Sequence, residues 1–138
     1  MKQITIPAKI ESLQEVFNFI SSEMSVKEAG LEQFGTIKLA VEEIFANIVL
    51  YAYHPEEGEV KIFVAVDSEQ IIIKFADRGV PFDPLAIPDH DITLSADERK
   101  IGGLGVFMVK KFMSNVEYRH ENGYNILTIS KDLGEGKN

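Results

Sequence analysis

Two pairs of β-rich segments, each joined by a short turn, place the strongest constraint on the fold of this chain. The first pair covers residues 60–66 and 71–75, and the second covers 116–119 and 125–130. Asp67–Gln70 joins the first pair, and a turn that contains Asn122 and Gly123 joins the second. Connections this short join antiparallel strands, because parallel strands need a crossover of a dozen or more residues. The pattern predicts two antiparallel hairpins and argues against a doubly wound sheet.

The remaining periodic segments predict helices and a first strand. Lys2–Pro7 alternates polar and apolar residues, as a short strand does. Ser12 and Glu15 have the spacing of a capping box, which predicts a helix that begins there. Apolar periodicity predicts further helices over about 36–53 and 105–112. We therefore expect an α+β fold, a two-layer α/β sandwich with a mainly antiparallel sheet and the helices on one face.

Chain length and irregular segments predict the domain organisation. A length of 138 residues is typical of one domain, here 1–138. Residues 77–99 hold three prolines and little periodicity, and a connection of this length is typical of a functional lid or a disordered segment. The C-terminal residues, about 133–138, are expected to form a disordered tail.

Charge and cysteine content exclude several classes of function. The chain has 14 basic and 22 acidic residues and a net charge of −8, which disfavours nucleic acid and anionic membranes as partners. It has no cysteine, so disulfides, thiolate metal sites and cysteine nucleophiles are excluded. No apolar run approaches the ~20 residues that span a bilayer, and the N-terminus lacks a secretory signal pattern. We expect a cytoplasmic protein.

A glycine-rich turn, RKIGGLG over residues 99–105, directly precedes the last predicted helix. It lacks the Lys-Ser or Lys-Thr pair of a Walker A loop. It also lacks the third glycine and the βαβ context of a Rossmann fingerprint. Backbone amides free of side chains at a helix N-terminus can bind phosphate. The alternative is a flexible hinge between loop and helix, and the turn alone leaves both open.

Two polar residues lie one turn apart on the largely apolar second helix. Glu43 and Asn47 share a helix face, whereas Glu42 points about 100° away, toward solvent. The predicted buried stripe of this helix is Ile37, Val41, Ile44 and Ile48. Asn47 offers a neutral oxygen to a hard cation such as Mg²⁺, and Glu43 could act as a general base or orient a nucleophile. Alternatively, both side chains hydrogen-bond to nearby backbone.

A third motif, the segment DRGVPFDP over residues 77–84, follows the end of a predicted strand. Asp77 at the strand end could accept a hydrogen bond from an exocyclic amine. Gly79 permits a positive φ or a close backbone approach, and thus leaves room for a flat ring. The alternative is an ordinary Asp-x-Gly turn.

Together the three motifs resemble those of the Bergerat-fold (GHKL) ATPases, which combine a Glu-x-x-x-Asn box, an Asp-x-Gly box, a lid and a glycine-rich box that opens a helix. More narrowly, the chain is similar to the anti-sigma-factor serine/threonine kinase branch. The strings that carry the similarity are LAVEEIFANIVLYAY (39–53), DRGVPFDP (77–84) and ERKIGGLGVFMVKKFMSNVEY (98–118). The resemblance implies an ATP lid over about 83–101.

The resemblance also implies roles for individual residues. It makes Asn47 the Mg²⁺ ligand and Glu43 the catalytic base. It makes Asp77 the residue that recognises adenine, with Gly79 beside the base. The residues that it implies for the phosphates are Gly103 and Gly105, with Gly102 as support and Arg99 as a further phosphate contact.

The function implied by the resemblance is that of a protein kinase dependent on ATP and Mg²⁺. Such a kinase binds a sigma factor, phosphorylates a serine of a small antagonist (anti-anti-sigma) protein, and is expected to dimerise. Two positions depart from the family pattern: Tyr51 stands where many members have His, and Pro81 where the wider superfamily has a second glycine. The alternative function is a non-catalytic regulatory module, in which nucleotide orders the lid and the chain sequesters a partner protein.

Overall fold

The computed structural model describes residues 1–52, 58–81, 83 and 109–133, most of which lie in strands and helices. The elements are β1 (Lys2–Pro7), α1 (Leu13–Lys27), α2 (Phe34–Asn47), β2 (Glu59–Val66), β3 (Gln70–Asp77), β4 (Asn115–Glu121) and β5 (Tyr124–Asp132). Short 3-10 turns precede the two helices, and a π-helical segment over Ile48–Ala52 follows α2. No helix in this described part is long and apolar enough to cross a membrane.

The five strands form an antiparallel sheet in the order β1-β2-β3-β5-β4. Both predicted hairpins are confirmed, since β2 pairs with β3 and β4 pairs with β5. The second hairpin joins the first through its later strand, because β5 rather than β4 pairs with β3. This pairing sets Asp77 directly opposite Asn125. The predicted α+β fold with a mainly antiparallel sheet is confirmed.

The hydrophobic core lies between α1, α2 and one face of the sheet. Strand residues that are buried alternate along the chain: Ile6, Val60, Ile62, Val64, Ile71, Ile73, Phe75, Leu127 and Ile129. The buried residues of the helices include Val16, Phe17, Ile20, Met24, Ile37, Val41, Ile44 and Phe45. A period of two is what a sheet covered on one face requires. The helices therefore lie on one face, as the sequence predicts.

The second helix differs from the predicted range of 36–53. It begins at Phe34 and remains α-helical only to Asn47, after which Ile48–Ala52 is π-helical. Residue 53 lies outside the described residues. The buried stripe is confirmed through Ile48. Single π-helical turns within helices occur frequently at functional sites, and this one starts directly after Asn47.

One local prediction is wrong. Ser12 makes no side-chain capping hydrogen bond, because the preceding 3-10 turn gives it a helical backbone (φ −80°, ψ −9°) rather than the extended one of a cap. The disordered tail over about 133–138 stays a prediction, and only its first residue is described. Leu133 is buried, and its N–H donates to the Glu69 carbonyl at 2.8 Å. Residues 134–138 lie outside the described part of the chain.

Candidate functional site

Asn47, the last residue of α2, is buried with no partner for its polar atoms. Its side chain is only 3% exposed. Neither Oδ1 nor Nδ2 has a hydrogen-bond partner within the described part of the chain. An unsatisfied buried polar atom costs about 1–3 kcal/mol, and native structures leave few of them. The alternative in which Asn47 hydrogen-bonds to nearby backbone is wrong, and its amide is available to a ligand.

Glu43 lies one turn before Asn47 on α2 and is half-buried. Its Oε2 is buried and has no hydrogen-bond partner among the described residues. Burial raises the pKa of the Glu43 carboxyl, and the charge of Glu42 raises it further. Glu42 itself is exposed, as predicted. A carboxylate with a raised pKa and an unpartnered oxygen is suited to accept a proton from a reacting group.

Tyr51 lies in the π-helical segment, one turn beyond Asn47, where the family resemblance leads us to expect His. Burial raises the pKa of the Tyr51 hydroxyl, and the charge of Glu43 raises it further. Tyr51 is therefore neutral at neutral pH. A protonated His near Glu43 would lower the pKa of that carboxyl, whereas a neutral Tyr does not. With the neutral Tyr51 in place of a protonated His, the pKa of Glu43 stays raised.

Asp77 ends β3 on the helix-facing side of the sheet and is 3% exposed. Its Oδ1 accepts hydrogen bonds from the Gly79 N–H and from Asn125 Nδ2, each at 2.9 Å. No donor among the described residues reaches Oδ2. Burial raises the pKa of Asp77, while the hydrogen bonds from Asn125 and Gly79 and the charge of His120 oppose the increase. The free oxygen can accept a hydrogen bond from an amine.

Gly79 closes a tight turn on Asp77 through its N–H donation to the carboxylate. The left-handed conformation that glycine permits is not used here, since the glycines with positive φ in the described residues are Gly30 and Gly123. Of the two predicted reasons for a glycine at this position, close approach of the backbone is the one that remains.

The glycine-rich turn, with Arg99, Gly102, Gly103 and Gly105, lies outside the described residues, as does most of the predicted lid. The helix that follows it is described over 109–112. Val109 and Met113 are buried in the core, which anchors this helix against the sheet. Lys131 Nζ donates to the Phe112 carbonyl at 2.8 Å, so a cation from β5 binds a free carbonyl at the helix C-terminus.

Two residues next to Asp77 are missed by the sequence analysis. Asn125 is 5% exposed, and its Nδ2 bonds to Asp77. The Tyr118 hydroxyl donates to Asn125 Oδ1. Tyr118 is the last residue of a string that carries the family resemblance but has no predicted role, and Asn125 on β5 lies outside all three strings. The signal that could have found Asn125 is the β3–β5 register, and neighbouring strands far apart in sequence cannot be paired from hydrophobic alternation alone.

The side chains present fit a magnesium ion better than a metal that needs a full protein cage. No group of three or more His, Cys, Asp or Glu residues in the described ranges is arranged to hold a metal. Mg²⁺ is usually bound through one or two protein oxygens, with phosphates and waters completing its coordination. The buried, unpartnered Oδ1 of Asn47 fits such a ligand.

A family model matches most of the chain, including both α2 and the end of β3, which carry the described site residues. Residues 6–131 match the histidine kinase-like ATPase domain. The chain belongs to this family. The matched range contains Glu43, Asn47 and Asp77, and the resemblance to the GHKL ATPases found in the sequence is confirmed.

Serine-protein kinases named RsbW are similar to this member of the ATPase family. Those of Bacillus cereus and Bacillus thuringiensis are each 25% identical to it over 129 residues, covering 91% of this chain and 81% of the relative. The similarity agrees with the narrower resemblance to the serine/threonine kinase branch.

Solved structures show the same fold at low sequence identity. The RsbU and RsbW domains of a Mycobacterium tuberculosis protein match with a TM-score of 0.61 and 17% identity, over 96% of this chain and 33% of that chain. This chain thus spans about a third of that protein's solved length. The catalytic domain of the histidine kinase ThkA matches with a TM-score of 0.54 and 12% identity, over 96% and 97% of the two chains.

Proposed function

We propose that this chain is a cytoplasmic serine/threonine protein kinase of the anti-sigma-factor type, which uses ATP and Mg²⁺. It binds a sigma factor and transfers phosphate to a serine of a small antagonist protein. Membership of the ATPase family and similarity to RsbW kinases support this function. The observation that carries it is the buried amide of Asn47, one turn from an oxygen of Glu43, both without hydrogen-bond partners among the described residues.

The Asn47 amide suits a nucleotide that arrives with its metal. We assign its Oδ1 as the protein ligand, because a neutral oxygen fits a hard cation that already carries phosphate oxygens and waters. Mg²⁺, when bound, supplies positive charge that offsets the charge of the phosphates. A bound ligand would also satisfy polar atoms that have no hydrogen-bond partner in the part of the chain that the structure describes.

Glu43 is the residue that we assign to the serine hydroxyl. Its raised pKa brings the basicity of the carboxylate closer to neutral pH, which favours proton acceptance. Phosphoryl transfer needs little covalent chemistry from a protein and depends chiefly on positioning. The helix holds Glu43 one turn from Asn47, so base and metal ligand share one rigid support.

Asp77 and Gly79 are assigned to the adenine ring. The Oδ2 of Asp77 accepts from the exocyclic amine, while the glycine leaves room for the ring beside the turn. The phosphates are assigned to Arg99, Gly102, Gly103 and Gly105, on the basis of the family resemblance alone.

A calorimetric titration tests the nucleotide site. We expect wild type to bind ATP more tightly with Mg²⁺ than without it, and Asn47→Ala to lose most of that difference, about tenfold or more in affinity. Asn115→Ala is the control, because that amide is exposed and donates to Glu117 within β4. A wild-type chain that binds no ATP would contradict the proposal.

Transfer of labelled γ-phosphate to a verified antagonist protein tests the kinase activity. General-base removal typically costs 10²–10⁴-fold in rate, and we expect a loss in this range for Glu43→Gln. Glu42→Gln, one residue away and exposed, should keep the wild-type rate within about twofold. Tight ATP binding with no transfer would instead favour the non-catalytic regulatory module.

A further inference from the structure

Asn125 connects three parts of the structure at the end of the sheet. Its Nδ2 donates to Asp77 Oδ1 at 2.9 Å and lies 3.0 Å from the Val80 carbonyl and 3.4 Å from the Gly79 carbonyl. Its Oδ1 accepts from the Tyr118 hydroxyl. A single buried amide thus links β4, β5 and the turn after β3.

The orientation of this amide is determined by its partners. Three oxygens surround one amide atom, so that atom must be the NH₂ group. The other amide atom is then the carbonyl oxygen, and the Tyr118 hydroxyl donates to it. Reversing the amide would set an oxygen against the Asp77 carboxylate and leave the Val80 carbonyl without this donor. Tyr118 therefore helps to keep the NH₂ group directed at Asp77.

The two oxygens of Asp77 consequently differ. Oδ1 receives two donors, from Asn125 and from Gly79. Oδ2 receives none from the described residues. Donors to a carboxylate favour its ionised form, and an ionised carboxylate only accepts hydrogen bonds. Asp77 is thereby held with one unengaged acceptor.

We propose that Asn125, oriented by Tyr118, is a positioning residue that sets the base selectivity of the site. It keeps Asp77 an acceptor, which favours a purine with an amino group at position 6 over one with a carbonyl oxygen there. The inference rests on the proposed function, since it requires Asp77 to face the base. It assigns to β5 a part in nucleotide choice that none of the motifs indicates.

Loss of the Asn125 donor has a definite chemical consequence. Burial already raises the pKa of Asp77 in wild type, and without the Asn125 donor that pKa rises further, because one of the two hydrogen bonds that oppose the increase is gone. A protonated carboxyl donates a hydrogen bond. It can then bind the carbonyl oxygen of hypoxanthine, so affinity for ATP falls while affinity for ITP falls less or rises.

The test compares the affinities of ATP and ITP, both with Mg²⁺, in four variants and wild type. Asp77→Asn replaces the Oδ2 acceptor with an NH₂ donor, because the amide oxygen stays on the side of the Gly79 and Asn125 donors. We expect Asn125→Leu to reduce the ATP-to-ITP affinity ratio about tenfold, which corresponds to about 1.4 kcal/mol, and Tyr118→Phe to reduce it about two- to fivefold. Asn115→Leu is the matched control, because that amide also donates to a carboxylate at 2.9 Å but is exposed on β4. Its ratio should equal that of wild type.

The outcomes separate this inference from the proposed function. A wild-type chain that binds neither nucleotide overturns both. Wild-type ATP binding with an unchanged ratio in Asn125→Leu and Tyr118→Phe overturns the inference alone. Equal weakening of ATP and ITP, with the ratio preserved, means that Asn125 is structural and also overturns it. If Asn125→Leu fails to fold, Tyr118→Phe, which only removes a hydroxyl, decides the question.

Discussion

Replacing Asn47 with leucine should stabilise the unliganded protein and abolish the function proposed for it. The side chain is almost completely buried, and both of its amide atoms lack partners in the described structure. Leucine has a similar size and branching but no polar atoms, so it can occupy the site without leaving any hydrogen-bonding group unsatisfied. The substitution thus replaces the unfavourable burial of polar atoms that lack partners with the favourable burial of apolar atoms.

The magnitude follows from the two unpartnered atoms of Asn47. Each such atom costs about 1–3 kcal/mol of stability. Imperfect packing of the leucine side chain cancels part of the stability gained when these atoms are removed. We expect the free energy of unfolding to rise by about 1–3 kcal/mol. For a chain of this length that corresponds to an increase in Tm of roughly 3–10 °C.

Urea unfolding without nucleotide measures this difference, and Asn125→Leu is its matched control. Asn125 is as deeply buried as Asn47, but its amide is fully engaged with Asp77 and Tyr118. Removing hydrogen bonds to a charged group costs about 1.5–3 kcal/mol, so this control should destabilise. If Asn47→Leu also destabilises, the Asn47 amide is satisfied within the folded protein, and its use as evidence of a ligand site fails.

The remaining predictions concern Glu43 and two glycines. The folded-state pKa of Glu43 lies above its ordinary value of 4.5, so wild type loses stability as pH rises from that value through the folded-state pKa. Glu43→Gln should therefore be more stable than wild type at pH 8 and converge with it near pH 4 in urea unfolding; a constant difference would be inconsistent with titration. Gly30→Ala should lower the free energy of unfolding by about 1–2 kcal/mol, because Gly30 has φ +74° and a Cβ there would lie 2.8 Å from Leu133. Gly35→Ala is its control, since a Cβ there meets nothing within 4 Å, and helix propensity should raise stability by up to about 1 kcal/mol; equal effects of the two substitutions in thermal unfolding would refute the steric argument.

Local chemistry predicts the elements of this fold but not their order in the sheet. The Asn122-Gly123 turn and the short Asp67–Gln70 connection determine both hairpins, which the structure confirms. Nothing local indicates that β5 pairs with β3, because that pairing joins residues more than 45 positions apart at Asp77 and Asn125. The alternation of apolar and polar residues indicates which face of a strand is buried, but it does not indicate which strands are neighbours.

The part of the site that lies on α2 could be predicted from the sequence. A spacing of four residues is enough to place Glu43 and Asn47 on one face. Whether a helical Asn finds a partner depends on what packs against it, which the sequence does not contain. The same limit applies to Ser12, whose capping pattern fails because an earlier turn already makes its backbone helical.

The two buried asparagines together distinguish a structural amide from one reserved for a ligand. A ligand that binds only the folded state adds RT ln(1 + [L]/Kd) to its stability. A gain of about 2 kcal/mol from Asn47→Leu is matched when Mg-ATP reaches about 30 times its Kd for wild type. Above that concentration wild type should be the more stable protein, provided the variant binds no nucleotide. For Asn125→Leu we expect no concentration at which the order of stabilities reverses. This variant is less stable than wild type without nucleotide, and added nucleotide only increases that difference in free energy of unfolding.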